Sequence, residues 1–254
     1  MEHVTSADGT VIAVDRSGDG PPLIMVVGAF CDRTSGESLA EMLAPRYTVY
    51  RYDRRGRGDS GDSATYSIER EVQDLNAVAL GTGSRPFVYG HSSGGALALE
   101  AAAYGVELRK VAAYEPPYTG ENDPGPQFAL ELDELVRAGR RDEAAERFLS
   151  LTGAPTQVIA GIKASPGWPG MQNLAHTLSR DRNLGNGGAV PVQRLGSIGI
   201  PILAMAGGAS DPWARQAMDT IEQAIPNAEA RTLEHEHHVP ADDVLTLILT
   251  AFFV

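Results

Sequence analysis

The segment Gly90-His91-Ser92-Ser93-Gly94 constrains the fold of this chain more than any other. It follows a strand-like run, Pro86-Phe87-Val88-Tyr89, and opens an alanine-rich helical run over 93–104. A G-x-S-x-G between a strand and a helix is a turn so sharp that the serine is held in a strained backbone conformation with its hydroxyl pushed outward. The glycines follow from that geometry, because a side chain two positions before or after the serine would collide with the strand or the helix. Gly and Ser are common, and without its flanking elements the segment would read as an ordinary helix start capped by Ser92 or Ser93.

The rest of the chain alternates in the manner such a turn requires. Asp8-Gly9 joins a first strand over 2–6 to Val11-Ile12-Ala13-Val14 as a hairpin. The run Leu23-Ile24-Met25-Val26-Val27 is apolar throughout, as expected of a strand buried on both faces. Strands follow over 48–52, 111–114, 200–206 and 228–233, and helices over 67–79, 212–225 and 241–253. From Tyr118 to about Arg194 no strand is legible. A Gly/Pro/Asn/Asp loop over 119–126 leads into two amphipathic helices, one facing with Phe128, Leu132, Leu135 and Val136, the other with Ala144, Ala145, Phe148 and Leu149. Helical pieces broken by Pro155, Pro166 and Pro169 come next, and Gly185-Asn186-Gly187-Gly188 closes the stretch. The expected organisation is an α/β core domain from 1–117 and 196–254, with a helical cap over 118–195 at the mouth of the site.

A serine is a poor nucleophile unless a base lies within hydrogen-bond reach and a carboxylate fixes the tautomer of that base. On a strand-turn-helix elbow the expected chain order is serine, acid, histidine. The loop after the last strand is Glu234-His235-Glu236-His237-His238-Val239-Pro240, and His238, just before the final helix, is favoured over His237 and His235. Two carboxylates compete for the third position. Asp211, directly after the penultimate strand, is favoured, although it also fits a helix cap followed by Pro212. Glu115, between an apolar strand and Pro116-Pro117, is the alternative, with a buried pair to a cap arginine as its competing explanation. The oxyanion of an acyl transfer needs two amide donors. Ser93 N–H at the start of a helix and Ala29 N–H in Gly28-Ala29-Phe30 are the candidates. Phe30, Tyr118, Trp168 and Trp213 are candidates to line an apolar substrate pocket, against the alternative of plain core.

Charge and cysteine content narrow the classes further. A net charge of −12 repels nucleic-acid backbones and points to a small-molecule substrate. The arginines of Tyr52-Asp53-Arg54-Arg55-Gly56-Arg57-Gly58 read as structural partners of Asp53, Asp59 and Asp62 rather than as a phosphate site. Cys31 has no partner for an internal disulfide, and no elbow presents it as a nucleophile. His235, Glu236, His237 and His238 look ligand-rich, but the serine chemistry needs no metal or cofactor and no H-E-x-x-H pattern accompanies them. No apolar run reaches the ~20 residues that would span a bilayer, and no signal peptide is legible, so a cytoplasmic protein is expected.

The Ser92 elbow, the segment from Tyr52 to Ser60, and the placements of Asp211 and His238 together make the chain resemble the α/β-hydrolase superfamily. That resemblance implies an eight-stranded, mostly parallel twisted sheet with helices on both faces and a cap inserted after the sixth strand. It also implies a serine member, since members cleaving epoxides or haloalkanes carry Asp at the elbow. Hydrolysis of an ester, thioester or lactone is the favoured expectation. Carbon–carbon bond cleavage, a cofactor-free haloperoxidase-like side activity, a non-hydrolytic cyclase or isomerase, and a small-ligand sensor on the same scaffold are the alternatives. Family members often have His-Gly before the oxyanion residue, where this chain has Val27-Gly28.

Overall fold

A computed structural model describes residues 1–120 and 123–254. Residues 121 and 122 of the expected 119–126 loop lie outside the described residues. Eight strands form one sheet: β1 (Glu2–Thr5), β2 (Val11–Ser17), β3 (Pro22–Val26), β4 (Thr48–Tyr52), β5 (Phe87–His91), β6 (Lys110–Tyr114), β7 (Ile202–Gly207) and β8 (Ala228–Leu233). Their order is β1-β2-β4-β3-β5-β6-β7-β8. The β1–β2 and β2–β4 pairs are antiparallel and all others parallel. After β4 the chain crosses back over β3 to lay down β5, so strand order reverses between β3 and β5. In open α/β sheets, the crevice at the carboxyl ends of the strands beside such a reversal is where ligands bind.

The apolar runs alternate across the sheet as a period of two demands. Ile24, Val26 and Val88 join one buried cluster with residues of α2 (Ile68–Gly81), α3 (Ser93–Ala103) and α10 (Pro212–Ala224). Leu23, Met25, Phe87 and Tyr89 join another with residues of α1 (Glu37–Leu43) and α11 (Asp242–Phe252). Helix α1 is absent from the sequence reading, because seven residues give too few turns for a helical period to stand out. Burial on both faces explains why the parallel strands read as unbroken apolar segments.

Between β6 and β7 the chain leaves the sheet for α4 (Pro126–Arg137), α5 (Arg141–Leu151), α6 (Thr156–Lys163), α7 (Trp168–Leu174), α8 (Leu178–Leu184) and α9 (Val192–Leu195). Pro126 and Pro169 fall in the first turns of α4 and α7, where the missing N–H costs nothing. Phe128, Leu132, Ala144, Ala145, Trp168, Ala175 and Leu178 form the insertion's own core, against which Ala29 and Phe30 of the loop after β3 pack. Among the described residues, no helix is long and apolar enough to cross a membrane.

Candidate active site

Three non-glycine residues with left-handed backbone angles stand just past the carboxyl ends of neighbouring strands: Phe30 (φ 59°) after β3, Ser92 (φ 55°) after β5 and Glu115 (φ 45°) after β6. Such conformations are costly for residues with a Cβ and concentrate where a side chain must be aimed. The Ser92 turn is closed by its own N–H, which donates to Tyr114 O at 2.8 Å. A Cβ at Gly90 would strike the Gly94 carbonyl, and one at Gly94 would strike the Val26 carbonyl, so both glycines are fixed by backbone contact. Ser92 is half-buried, and its hydroxyl makes no hydrogen bond among the described residues.

The loop after β3 lies against this serine. A Cβ on Gly28 would come within 3.0 Å of Ser92 Cβ and 3.5 Å of Ser92 Oγ. Neither the next amide, Ala29 N–H, nor Ser93 N–H, the first amide of α3, finds an acceptor among the described residues. At a helix N-terminus such an unsatisfied donor carries partial positive charge.

Glu115 is buried at 1% exposure, and both of its oxygens are engaged. Oε1 accepts from Gly207 N–H at 2.8 Å, and Oε2 lies 2.6 Å from His238 Nδ1. Burial opposes ionisation of this carboxyl, but hydrogen bonds, led by that of His238, hold it below the usual carboxylate range. An ionised partner at Nδ1 makes that nitrogen the proton-bearing one and leaves the Nε2 lone pair free. The geometry corrects the preference for Asp211. That residue is exposed and starts α10, its carbonyl accepting from Ala214 N–H at 3.0 Å, while its carboxylate makes no hydrogen bond among the described residues.

His237 and His235 are exposed, and His235 takes up a left-handed turn (φ 67°). His237 contributes its carbonyl, which accepts from Tyr114 Oη at 2.5 Å. Among the described residues, no three His, Cys, Asp or Glu side chains are grouped so as to hold a metal ion. Burial pushes the Cys31 thiol above its ordinary value, which disfavours the thiolate.

His91, to which the sequence reading gives no role, braces His238. Its Nε2 lies 2.7 Å from His238 O, and the two rings are 4.9 Å apart. Burial, with the neighbouring His238 adding to it, lowers the His91 pKa to about 4. His91 is thus neutral at neutral pH, with Nε2 donating to the carbonyl.

Of the expected pocket residues, Phe30 belongs to the loop that lies against Ser92, and its ring meets Phe148 of the insertion edge-on at 5.4 Å. Tyr118 is 2% exposed in the core beside α3. Trp168 packs inside the insertion with Nε1 donating to Asp142 at 2.8 Å, and Trp213, the second residue of α10, packs against the buried cluster of the sheet. These three correct the pocket expectation: Tyr118 and Trp213 pack with the buried cluster of the sheet and Trp168 with the core of the insertion.

The arginine cluster is structural, as expected, but its partners differ. Arg54 forks onto Glu71 at 2.6 and 2.7 Å, Arg55 onto Asp74 at 2.7 Å through two nitrogens, and Arg57 onto Asp181 at 2.7 and 2.9 Å. Asp53 and Asp59 instead pair with Arg33, and Asp62 with Arg180. Asp181 lies in α8, where nothing in the sequence signals its partners.

Comparison with known proteins agrees with this architecture. The model of a family described as "Alpha/beta hydrolase family" matches residues 23–244. An alpha/beta hydrolase from Sphaerobacter thermophilus DSM 20745, known as a crystal structure, is 44% identical, with each chain covered over 100% of its length and a TM-score of 0.94. The pimeloyl-[acyl-carrier protein] methyl ester esterase of Stenotrophomonas maltophilia is 27% identical over 91% of this chain and 92% of its own. The N-formylmaleamate deformylase of Pseudomonas putida is 33% identical, and that match spans 41% of this chain and 40% of the relative.

Proposed function

Because this chain belongs to the alpha/beta hydrolase family and is a hydrolase, we propose that it cleaves a carboxylic ester, thioester or lactone of a small, largely apolar substrate through Ser92, His238 and Glu115. The observation that carries this reading is the 2.6 Å contact from Glu115 to His238 Nδ1, beside a serine held in a strained elbow. A buried carboxylate on Nδ1 selects the tautomer in which Nε2 can accept the Ser92 proton, and it stabilises the imidazolium that results.

In the proposed sequence, Ser92 Oγ attacks the substrate carbonyl carbon as its proton passes to His238 Nε2. The carbonyl π pair moves to oxygen, where the Ala29 and Ser93 amides receive the charge. Collapse re-forms the carbonyl and expels the alkoxide or thiolate, which takes the proton from His238. In a lactone the leaving oxygen stays tethered to the acyl group. Water then attacks the acyl-serine with His238 again as base, and Ser92 departs with the proton as the acid is released. No hydrogen bond joins Ser92 Oγ to His238 among the described residues, and catalytic hydrogen bonds of this kind commonly tighten only in the complex with substrate.

Residues 118–195 act in this reading as a cap over a core formed by 1–117 and 196–254. The packing of Ala29 and Phe30 on the insertion supports it, and the same apolar contact favours an apolar acyl or alcohol group. The named activity of the methyl ester esterase relative supports the ester class. The net charge of −12 argues against a nucleic-acid partner. The test is turnover of p-nitrophenyl acetate and labelling by a fluorophosphonate probe. Wild type should do both and Ser92→Ala neither. Unchanged turnover in that variant would refute the assignment.

A further inference from the structure

Asp181 belongs to the helical insertion, yet its carboxylate is buried at the end of the sheet with 2% exposure. Oδ1 accepts from Ser93 Oγ at 2.6 Å, from Arg54 Nη1 at 2.7 Å and from Arg57 Nη2 at 2.7 Å. Oδ2 accepts a second contact from Arg57 Nη2 at 2.9 Å. The same guanidinium continues through Nη1 to the Gly28 carbonyl at 2.5 Å and the Cys31 carbonyl at 3.1 Å. One carboxylate thus reaches both walls around Ser92, by way of the Ser93 hydroxyl on one side and Arg57 on the other.

The second arm has a directional consequence. Gly28 C=O and Ala29 N–H belong to one trans peptide unit and point in opposite directions. Holding the carbonyl on Arg57 turns the Ala29 N–H away from that guanidinium. Gly28 is also the residue whose Cβ would press on Ser92. The first arm ties the helix residue that carries the other candidate donor. Arg54 and Arg57 with Glu71 and Asp181 balance in charge, so the tie needs no counter-ion from solvent.

We propose that Asp181 is a positioning residue of the hydrolytic site, fixing through Ser93 and Arg57 the directions of the two amides that receive the oxyanion. This rests on the Ser92 reading above. It makes the helical insertion part of the catalytic geometry as well as a cover over it.

The test measures kcat and KM for p-nitrophenyl acetate, and inhibition by phenylboronic acid, whose tetrahedral serine adduct places an oxygen between the two amides. Ser93→Ala removes one arm while keeping the amide, and Asp181→Asn weakens both arms. A misdirected donor should cost part of the ~100-fold or more that losing a donor costs. The expected result is kcat lowered roughly tenfold in Ser93→Ala and further in Asp181→Asn. KM should change by less than about threefold, and the boronate constant should rise in step with the loss of kcat. A folded Ser93→Ala with unchanged kcat and boronate affinity overturns the proposal. So does a loss of kcat in either variant without any loss of boronate affinity. Should Asp181→Asn fail to fold, Ser93→Ala decides alone. Ser92→Ala separates the two readings: if it stays active the serine assignment fails, and if it is dead while Ser93→Ala is unaffected only the positioning role fails.

Discussion

The Glu115 carboxylate accepts from Gly207 N–H with one oxygen and meets His238 Nδ1 with the other, so the carboxylate facing this imidazole comes from the end of β6 while β7 supplies only a backbone donor. Glu115→Gln keeps the shape and removes the charge, so the favoured histidine tautomer and the stabilised imidazolium are both lost. The expected outcome is a fall in kcat of about 10²–10⁴ on an activated ester. Asp211→Asn, at an exposed position, should change kcat by less than about twofold. Steady-state kinetics on the two variants checks the pair. The reverse pattern would return the acid role to Asp211.

His91 gives the stability an acid-sensitive component in a definite window. Its folded pKa, about 4, lies below the ordinary 6.5, so between those values the unfolded chain binds a proton that the folded protein refuses. Stability should therefore drop as pH falls from 6.5 toward 4, by on the order of 3 kcal/mol from this residue, and flatten below. His91→Gln retains a donor for the His238 carbonyl without titrating. Its Tm should fall less than that of the wild type across the same window. Parallel curves for the two proteins would exclude His91 as the source.

Gly28 tests how closely the loop after β3 must approach Ser92. An added Cβ would lie 3.0 Å from Ser92 Cβ, and Ser92 cannot yield easily because its own turn is closed by Gly90 and Gly94. Gly28 has no left-handed angle, so Gly28→Ala brings crowding without backbone strain. A tenfold or greater fall in kcat is expected, because a shift of about 1 Å in a reacting group costs up to ~100-fold. The Tm should move by only a few degrees. Kinetics and thermal melts on the same preparation check it, and an unchanged kcat would show that the loop stands clear of the serine.

The parts of this site legible in the sequence are those fixed by backbone geometry. Gly90, Ser92 and Gly94 could be read because a turn that tight admits only certain residues, and Gly28 and Ala29 because they follow a fully apolar strand. His238 stood out by its place before α11. The choice between Glu115 and Asp211 was not legible, because both follow a strand and only the folded sheet shows which carboxylate faces the imidazole. Tyr118, Trp168 and Trp213 could not be told from core residues, since burial in a helix interface and burial in a pocket leave the same pattern. Asp181 was invisible for a related reason. Its partners are 88 to 127 residues away in sequence, and long-range ion pairs follow no local period.

Arg55 distinguishes a structural cluster from a ligand site. It is 1% exposed and meets Asp74 through two nitrogens at 2.7 Å, with Asp8 and Ser63 on its remaining nitrogen at 3.1 and 2.8 Å. Arg55→Met would fill most of the volume but leave Asp74 charged, buried and unpaired. Breaking one side of a buried pair costs about 3–5 kcal/mol, whereas removing both charges is often close to neutral. Chemical denaturation should therefore show a loss of that order for Arg55→Met. Part of it should be recovered in Arg55→Met combined with Asp74→Asn, since an amide is far cheaper to bury than a carboxylate. The folded single variant should keep its kcat, because Arg55 touches neither Ser92 nor the loop after β3. A variant of unchanged stability that loses binding of inorganic phosphate would instead make the cluster an anion site and contradict its structural assignment.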